Sequence, residues 1–149
     1  MGVTVSWDPE TEQVPARVAA WHSMHAVSEG RKDDWLALFD RAAVVEDPVG
    51  VSGFDPEGKG HHGRSAIAEF WDASIANVQR FEFDIRDSHA AGDEVANVGT
   101  ITTFFPGGYR VDTEGVFVYR VGEDGLILSM RAFWETERAM ATARQVSSD

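Results

Sequence analysis

Asp47 is the side chain that the sequence places best for acid–base chemistry. It follows the apolar run Ala42-Ala43-Val44-Val45 and Glu46, and it precedes Pro48, Val49 and Gly50. Proline cannot donate to a strand ladder and disfavours helical backbone at the preceding residue, so Asp47 is expected to end a strand. A carboxylate there can point into a cavity, and apolar surroundings raise its pKa toward the range useful to a general base. The plain alternative is a turn starter whose carboxylate only accepts backbone hydrogen bonds. Glu46 alternates with Asp47 and faces the other way.

Other chemistry-bearing residues form weaker patterns. His22 and His25 lie three apart in a helical stretch, His61 and His62 adjoin in a loop, and His89 stands apart. Zinc needs three or four converging ligands, and the chain has neither cysteine nor an HExxH pattern, so no metal or other cofactor is expected. His62 is expected to cap the helix that follows it. Residues 50–60 hold four glycines and Pro56 but no GK[ST], which makes them a candidate lid rather than a phosphate loop. Asp112 and Glu114 share one strand face, and both point outward if Phe117 points inward.

The elements that must position these groups follow from periodicity. Val14, Val18 and Trp21 recur at helical spacing within 10–29, with Met24 or His25 on the next turn and Gly30 as the stop. A short helix capped by Asp33 carries Trp35, Leu36, Leu38 and Phe39, and a strand spans 42–47. The clearest helical stripe runs over 64–78 with Ile67, Phe70, Trp71, Ile75 and Val78. Residues 81–88, 93–105, 109–121 and 126–135 read as strands, joined at 106–108 and 122–125 by hairpin turns, with a short helix from Thr136. This order predicts an α+β fold in which a long, bent antiparallel sheet wraps around three helices. One domain is expected over 1–149, with a loose arm at 1–9, pinned by Trp7, and a polar tail at 145–149.

Bulk composition narrows the partners. The chain has 149 residues, 43% of them hydrophobic, enough for one substantial core. Thirteen basic against 25 acidic side chains give a net charge of −12, which repels nucleic acid and anionic membrane surfaces. No apolar run approaches the roughly 20 residues of a membrane span, and the first residues lack a signal-peptide pattern. A cytoplasmic protein is expected.

Three segments carry a resemblance: Val45-Glu46-Asp47-Pro48-Val49-Gly50, His62-Gly63-Arg64 with Ala66-Ile67-Ala68-Glu69-Phe70-Trp71, and Gly125-Leu126-Ile127-Leu128-Ser129-Met130-Arg131-Ala132-Phe133-Trp134. With them the chain resembles the ketosteroid isomerase-like branch of the NTF2-like (SnoaL-like) superfamily over roughly Trp21 to Trp134. Gly115-Val116-Phe117-Val118-Tyr119-Arg120-Val121 and the loop after Asp47 look most like isomerase-like proteins of actinobacteria. The resemblance implies a cone-shaped fold, a homodimer through the outer sheet face and a small apolar ligand such as a steroid. In that family an Asp removes a proton beside a ketone and returns it elsewhere on the substrate. A Tyr and a protonated Asp donate to the enolate oxygen.

Asp47 matches the base. The position of the oxyanion Tyr holds Ser23, that of the donor Asp holds Phe117, and that of a supporting Tyr holds Trp71. Pocket contacts are therefore expected from Ser23, Val27, Trp71, Phe104, Phe117, Met130, Ala132 and Trp134, with the Ser23 hydroxyl and the indole N–H groups of Trp71 and Trp134 as replacement donors. The first expectation is slow steroid isomerisation. A binder of hydrophobic small molecules is second, and cyclase or epoxide-hydrolase chemistry third. Epoxide opening on this fold uses an acid on the last strand, where Ala132 stands here.

Overall fold

The computed structural model describes residues 2–146. In chain order its elements are β1 (Val3–Val5), α1 (Pro15–Ser28), α2 (Lys32–Ala37), β2 (Phe39–Glu46), β3 (His61–His62), α3 (Gly63–Ala73), a 3-10 turn (Ile75–Asn77), β4 (Arg80–Ala91), β5 (Glu94–Phe105), β6 (Tyr109–Val121), β7 (Ile127–Phe133), α4 (Thr136–Met140) and β8 (Arg144–Gln145). The strands form one sheet in the order β1-β4-β5-β6-β7-β2-β3, with β8 beside β6. Neighbours from β4 to β7 are antiparallel, as the hairpin turns require. The two additions at β1–β4 and β2–β7 are parallel. The fold is α+β, with a curved sheet packed on α1, α2 and α3.

Local chemistry fixes the element ends. Helix α1 begins at Pro15, a residue suited to the first helical position, because residues 8–12 are already turned around Asp8. Its buried face is Ala16, Ala19, Ala20, Ser23, Met24 and Ala26, which corrects the expected stripe of Val14, Val18 and Trp21. Small residues let the helix backbone lie close to the sheet. Gly30 takes φ +69° just past the helix, as a stop glycine does. Helix α3 ends at Ala73 rather than 78, because Ser74 Oγ donates to the Phe70 carbonyl at 2.6 Å and the chain tightens into the 3-10 turn. His62 occupies the position before α3, but its Nε2 contacts the Lys59 carbonyl oxygen and caps nothing. Asp33 lies in the first turn of α2 and forms no cap.

The N-terminal arm is not loose over its length. Val3, Thr4 and Val5 pair with Phe83, Asp84 and Ile85, and Trp7 is buried with Met24, Phe83 and Ile85. An edge strand at β4 has free backbone groups, and an apolar Val-Thr-Val segment satisfies them. At the other end Gln145 pairs with Tyr109, while residues 147–149 of the expected tail lie outside the described residues. Among the described residues no helix is long and apolar enough to cross a membrane.

Curvature comes from bulges and from a glycine pair. The pairing register shifts between Ile85 and Asp87 on β4, and between Arg120 and Val121 on β6. Gly99 and Gly115 face each other across β5 and β6. A Cβ on Gly99 would collide with the Asp84 carbonyl oxygen. One on Gly115 would collide with the Phe133 carbonyl oxygen and lie 3.0 Å from Trp134 Cβ. Neither glycine has positive φ, so space rather than backbone freedom requires them. Gly115→Ala is expected to lose about 1–3 kcal/mol by overpacking and to displace Trp134. Gly53→Ala, with nothing within 4 Å of its added methyl, should be nearly neutral. Denaturant unfolding of the two variants checks this.

Candidate functional site

Parallel pairing of β2 with β7 assembles the centre of the site. Val45 lies opposite Met130 and Glu46 opposite Arg131, so both strands leave the sheet in the same direction. Asp47 follows the last residue of β2 and precedes a cis peptide bond to Pro48. Trp134 follows β7, and its Nε1–H donates to Asp47 Oδ1 at 2.6 Å. Glu46 faces away, toward Arg131 at 3.5 Å, as strand alternation requires.

Asp47 is half-buried and lines a pocket of about 80 Å³ between the sheet and the helices. Desolvation raises its pKa above the ordinary carboxylate value, while the Trp134 hydrogen bond and nearby His61 partly offset the rise. Trp134 occupies Oδ1, which leaves Oδ2 to face a substrate proton. The pocket lies well below the roughly 300–1,000 Å³ of sites that enclose drug-sized ligands, so a larger flat molecule enters only as wall side chains turn. A wider groove of about 490 Å³, lined by Trp7, Glu12, Trp21 and His22, opens on the other side of α1, away from Asp47.

Ser23, Val27, Phe117 and Met130 line the pocket with Asp47. Four other expected contacts are placed differently. On α3 it is Phe70 that lines the pocket. Trp71, a further 100° around the helix, is buried against Trp35 with ring centroids 5.2 Å apart. Phe104 lies on the outer face of β5, because Asn97 and Ile101 on that strand line the pocket and Phe104 has the opposite parity. Its ring packs under Arg80 and Arg110. Ala132 is fully buried behind the wall, where its carbonyl accepts from Val49 N–H. Trp134 does not line the pocket and acts on it through Asp47.

The most informative residue missing from the expected set is Tyr119. It lies two positions beyond Phe117, so strand alternation alone would have turned it inward. Its hydroxyl lies 3.0 Å from Ser23 Oγ, which also accepts from Trp35 Nε1–H at 3.0 Å. Ser23 and Tyr119 carry two hydroxyl protons between them, and the bond that joins them uses one. Among the described residues neither oxygen has another acceptor, and both residues line the pocket, so one O–H is left for a ligand. Burial, with a smaller contribution from the Asp47 charge, pushes the Tyr119 pKa up to about 12, so the phenol stays protonated at neutral pH.

No second acid joins Asp47. Asp112 accepts from Thr102 Oγ1 at 2.8 Å and pairs with Arg144 on the outer face, and Glu114 lies toward Arg138. Among the described residues no arginine lines the pocket, and no group of three His, Cys, Asp or Glu converges as for a metal. The loop over 50–60 is tied down by Asp55, whose carboxylate accepts from Gly60 N–H at 2.7 Å and Lys59 N–H at 3.2 Å.

The SnoaL-like domain family matches residues 18–130, and the chain belongs to that NTF2-like family. RV0760c from Mycobacterium tuberculosis is similar at 33% identity and a TM-score of 0.81, over 90% of this chain and 98% of the other. The same protein in complex with estradiol-17β-hemisuccinate superposes with a TM-score of 0.78 at 33% identity, over 89% and 99%. The Δ5-3-ketosteroid isomerase from Mycobacterium sp. is 32% identical with a TM-score of 0.78, over 89% and 98%. SalBIII, an epoxide hydrolase/cyclase-like enzyme of salinomycin pyran ring formation, is 25% identical with a TM-score of 0.70, over 92% and 99%. No match is found among curated proteins.

Trp134→Phe removes the only side-chain hydrogen bond to the Asp47 carboxylate among the described residues, so the Asp47 pKa should rise further. The sign carries into stability. Between the unfolded and the raised folded pKa, the folded chain keeps a proton that the unfolded chain loses, so stability falls as pH rises through that window. Relative to Asp47→Asn, the wild type should therefore weaken from acid toward neutral pH, and Trp134→Phe should extend the decline upward. Carboxyl ¹³C titration and melting temperature against pH measure both effects.

Proposed function

We propose that the chain is a ketosteroid isomerase-like enzyme that moves a double bond in a steroid or similarly flat apolar ketone, slowly and without a cofactor. The observation that carries this reading is the Asp47 carboxylate on the wall of an apolar pocket, one oxygen held by Trp134 and the other free. A base needs a pKa near the working pH, and desolvation shifts Asp47 in that direction. Oδ2 takes the proton from the carbon beside the carbonyl and returns it two carbons along the conjugated system. A single oxygen does both steps, because swapping oxygens would break the Trp134 bond. Charge that develops on the ketone oxygen is met by the O–H left over from the Ser23–Tyr119 pair. That donor replaces the Tyr and Asp that Ser23 and Phe117 displace. The likeness to the Mycobacterium sp. isomerase, and to RV0760c with its estradiol derivative, supports the substrate class.

A binder of hydrophobic molecules is the second reading, favoured by the small pocket and by Phe117 where an acidic donor is expected. Epoxide opening lacks support, because Ala132 stands where the second acid is needed and both Asp112 and Glu114 face outward. In keeping with the resemblance, a cytoplasmic homodimer through the outer sheet face would bury Phe133, an exposed large apolar residue.

Formation of the conjugated enone from an unconjugated 3-ketosteroid tests the enzyme reading. Asp47→Asn should lower turnover by about 10²–10⁴ with ligand affinity kept or improved, since no charge has to be desolvated. Tyr119→Phe leaves the Ser23 hydroxyl as the one donor, whereas Ser23→Ala/Tyr119→Phe removes both and should cost about 10²–10³. Unchanged turnover in Asp47→Asn would remove the base and leave the binder.

Phe117→Asp should raise turnover, because an acid in an apolar wall stays protonated and donates. A folded variant with no gain would show that the substrate does not place its oxygen there.

A further inference from the structure

We infer that Asn97 is a ligand-binding residue whose amide Nδ2 holds an oxygen acceptor, a ketone or hydroxyl, carried by the ligand of the apolar pocket. Asn97 lies on β5, lines the pocket, and is 1% exposed. Its Nδ2 is buried and has no hydrogen-bond partner. Native structures leave few buried donors unmade, and those they leave commonly sit at functional sites.

The orientation of the amide is fixed by chemistry. Ser88 faces Asn97 across β4 and β5. Arg17, from α1, donates its Nε–H to Ser88 Oγ at 2.9 Å and Nη2–H to the Ser88 carbonyl at 3.0 Å. Guanidinium accepts nothing, so the Ser88 hydroxyl proton has to go elsewhere. It goes to Asn97 Oδ1 at 2.7 Å. The reversed amide would leave that proton without an acceptor. Arg17 and Ser88 are thus positioning residues that hold Oδ1 on the serine and Nδ2 free.

Asn97 and the other donor are held by different partners. Asn97 pairs with Phe117 and Val95 with Tyr119, so Asn97 and Tyr119 are diagonal on the same sheet face. The Tyr119 hydroxyl reaches Ser23 on α1, whereas the Asn97 amide is held at the sheet by Ser88 on β4. The ligand is therefore an apolar body with an oxygen for Asn97 distinct from the one served by Tyr119 and Ser23. This rests on the reading of the pocket as the ligand site, though not on catalysis.

The test compares binding of 5α-androstane, its 3-ketone and its 17-ketone to wild type and Asn97→Leu, followed by quenching of tryptophan fluorescence. One monoketone should bind wild type about tenfold or more tighter than the hydrocarbon, the usual effect of satisfying a buried donor. Asn97→Leu should abolish that preference and bind the hydrocarbon at least as well. Ser23→Ala/Tyr119→Phe, which lacks the other donor, should keep that preference, and a preference unchanged when Asn97→Leu is added to this background overturns the assignment and leaves the pocket reading standing. Binding of none of the three to wild type overturns both. Without ligand, Asn97→Leu should melt no lower than wild type, because it removes the orphan donor, keeps Ser88 Oγ as the acceptor for Arg17 and leaves the part-exposed Ser88 hydroxyl proton to water. A clear drop in melting temperature, with ketone preference intact, would assign the network to the fold instead.

Discussion

The bond from Trp134 to Asp47 depends on two strand ends leaving the sheet side by side. Antiparallel neighbours would send those ends in opposite directions, whereas β2 and β7 are parallel and in register from Val45 to Glu46. The arrangement delivers an indole N–H to a carboxylate 87 positions away in sequence, at 2.6 Å. Gly115 lets β7 pass close enough for this, since any side chain there meets Phe133 and Trp134. Sheet geometry thus decides which carboxylate oxygen is held and which remains free.

Helix α1 performs a second organising task from its buried face. Arg17 reaches β4 and Ser23 reaches β6, each through a short hydrogen-bonded link. The Ser88–Asn97 link and the Tyr119 link therefore share one rigid support. Ala16, Ala19, Ala20 and Ala26 keep that support close to the sheet. A bulkier helix face would hold both polar groups farther from the cavity. Small residues in α1 are a condition for the polar chemistry as much as for packing.

Much of this was legible in the sequence, for reasons that differ by element. Long strands with period-two patterning and glycine turns identify β4 to β7, and Pro48 marks the end of β2. Asp47 is marked locally by Pro48, whereas Ser23, Val27, Phe117 and Met130 are expected beside it through the family resemblance, and all five line one pocket. Phe104 failed on parity, since its strand turns Asn97 and Ile101 inward instead. Trp71 failed because two adjacent aromatics on a helix cannot both face one cavity. Asn97 and Ser88 gave no signal at all: an isolated Asn and Ser acquire meaning only through Arg17, some 70–80 positions away. Pairing of Val3–Val5 with β4 was equally hidden, because a parallel edge strand leaves no turn to betray it.

The small volume of the pocket has a kinetic consequence. A cavity of about 80 Å³ cannot hold a tetracyclic molecule until Phe70, Phe81, Phe83 and their neighbours turn aside. For a molecule of that size, measured affinity is the intrinsic affinity diluted by the fraction of the protein that is open. Association that requires such opening is slower than entry into a preformed pocket. Closely packed aromatic walls therefore act as a toll on entry that is independent of how well the ligand fits once inside. Two molecules with equal final contacts are told apart by thickness, since the thinner one asks for less opening.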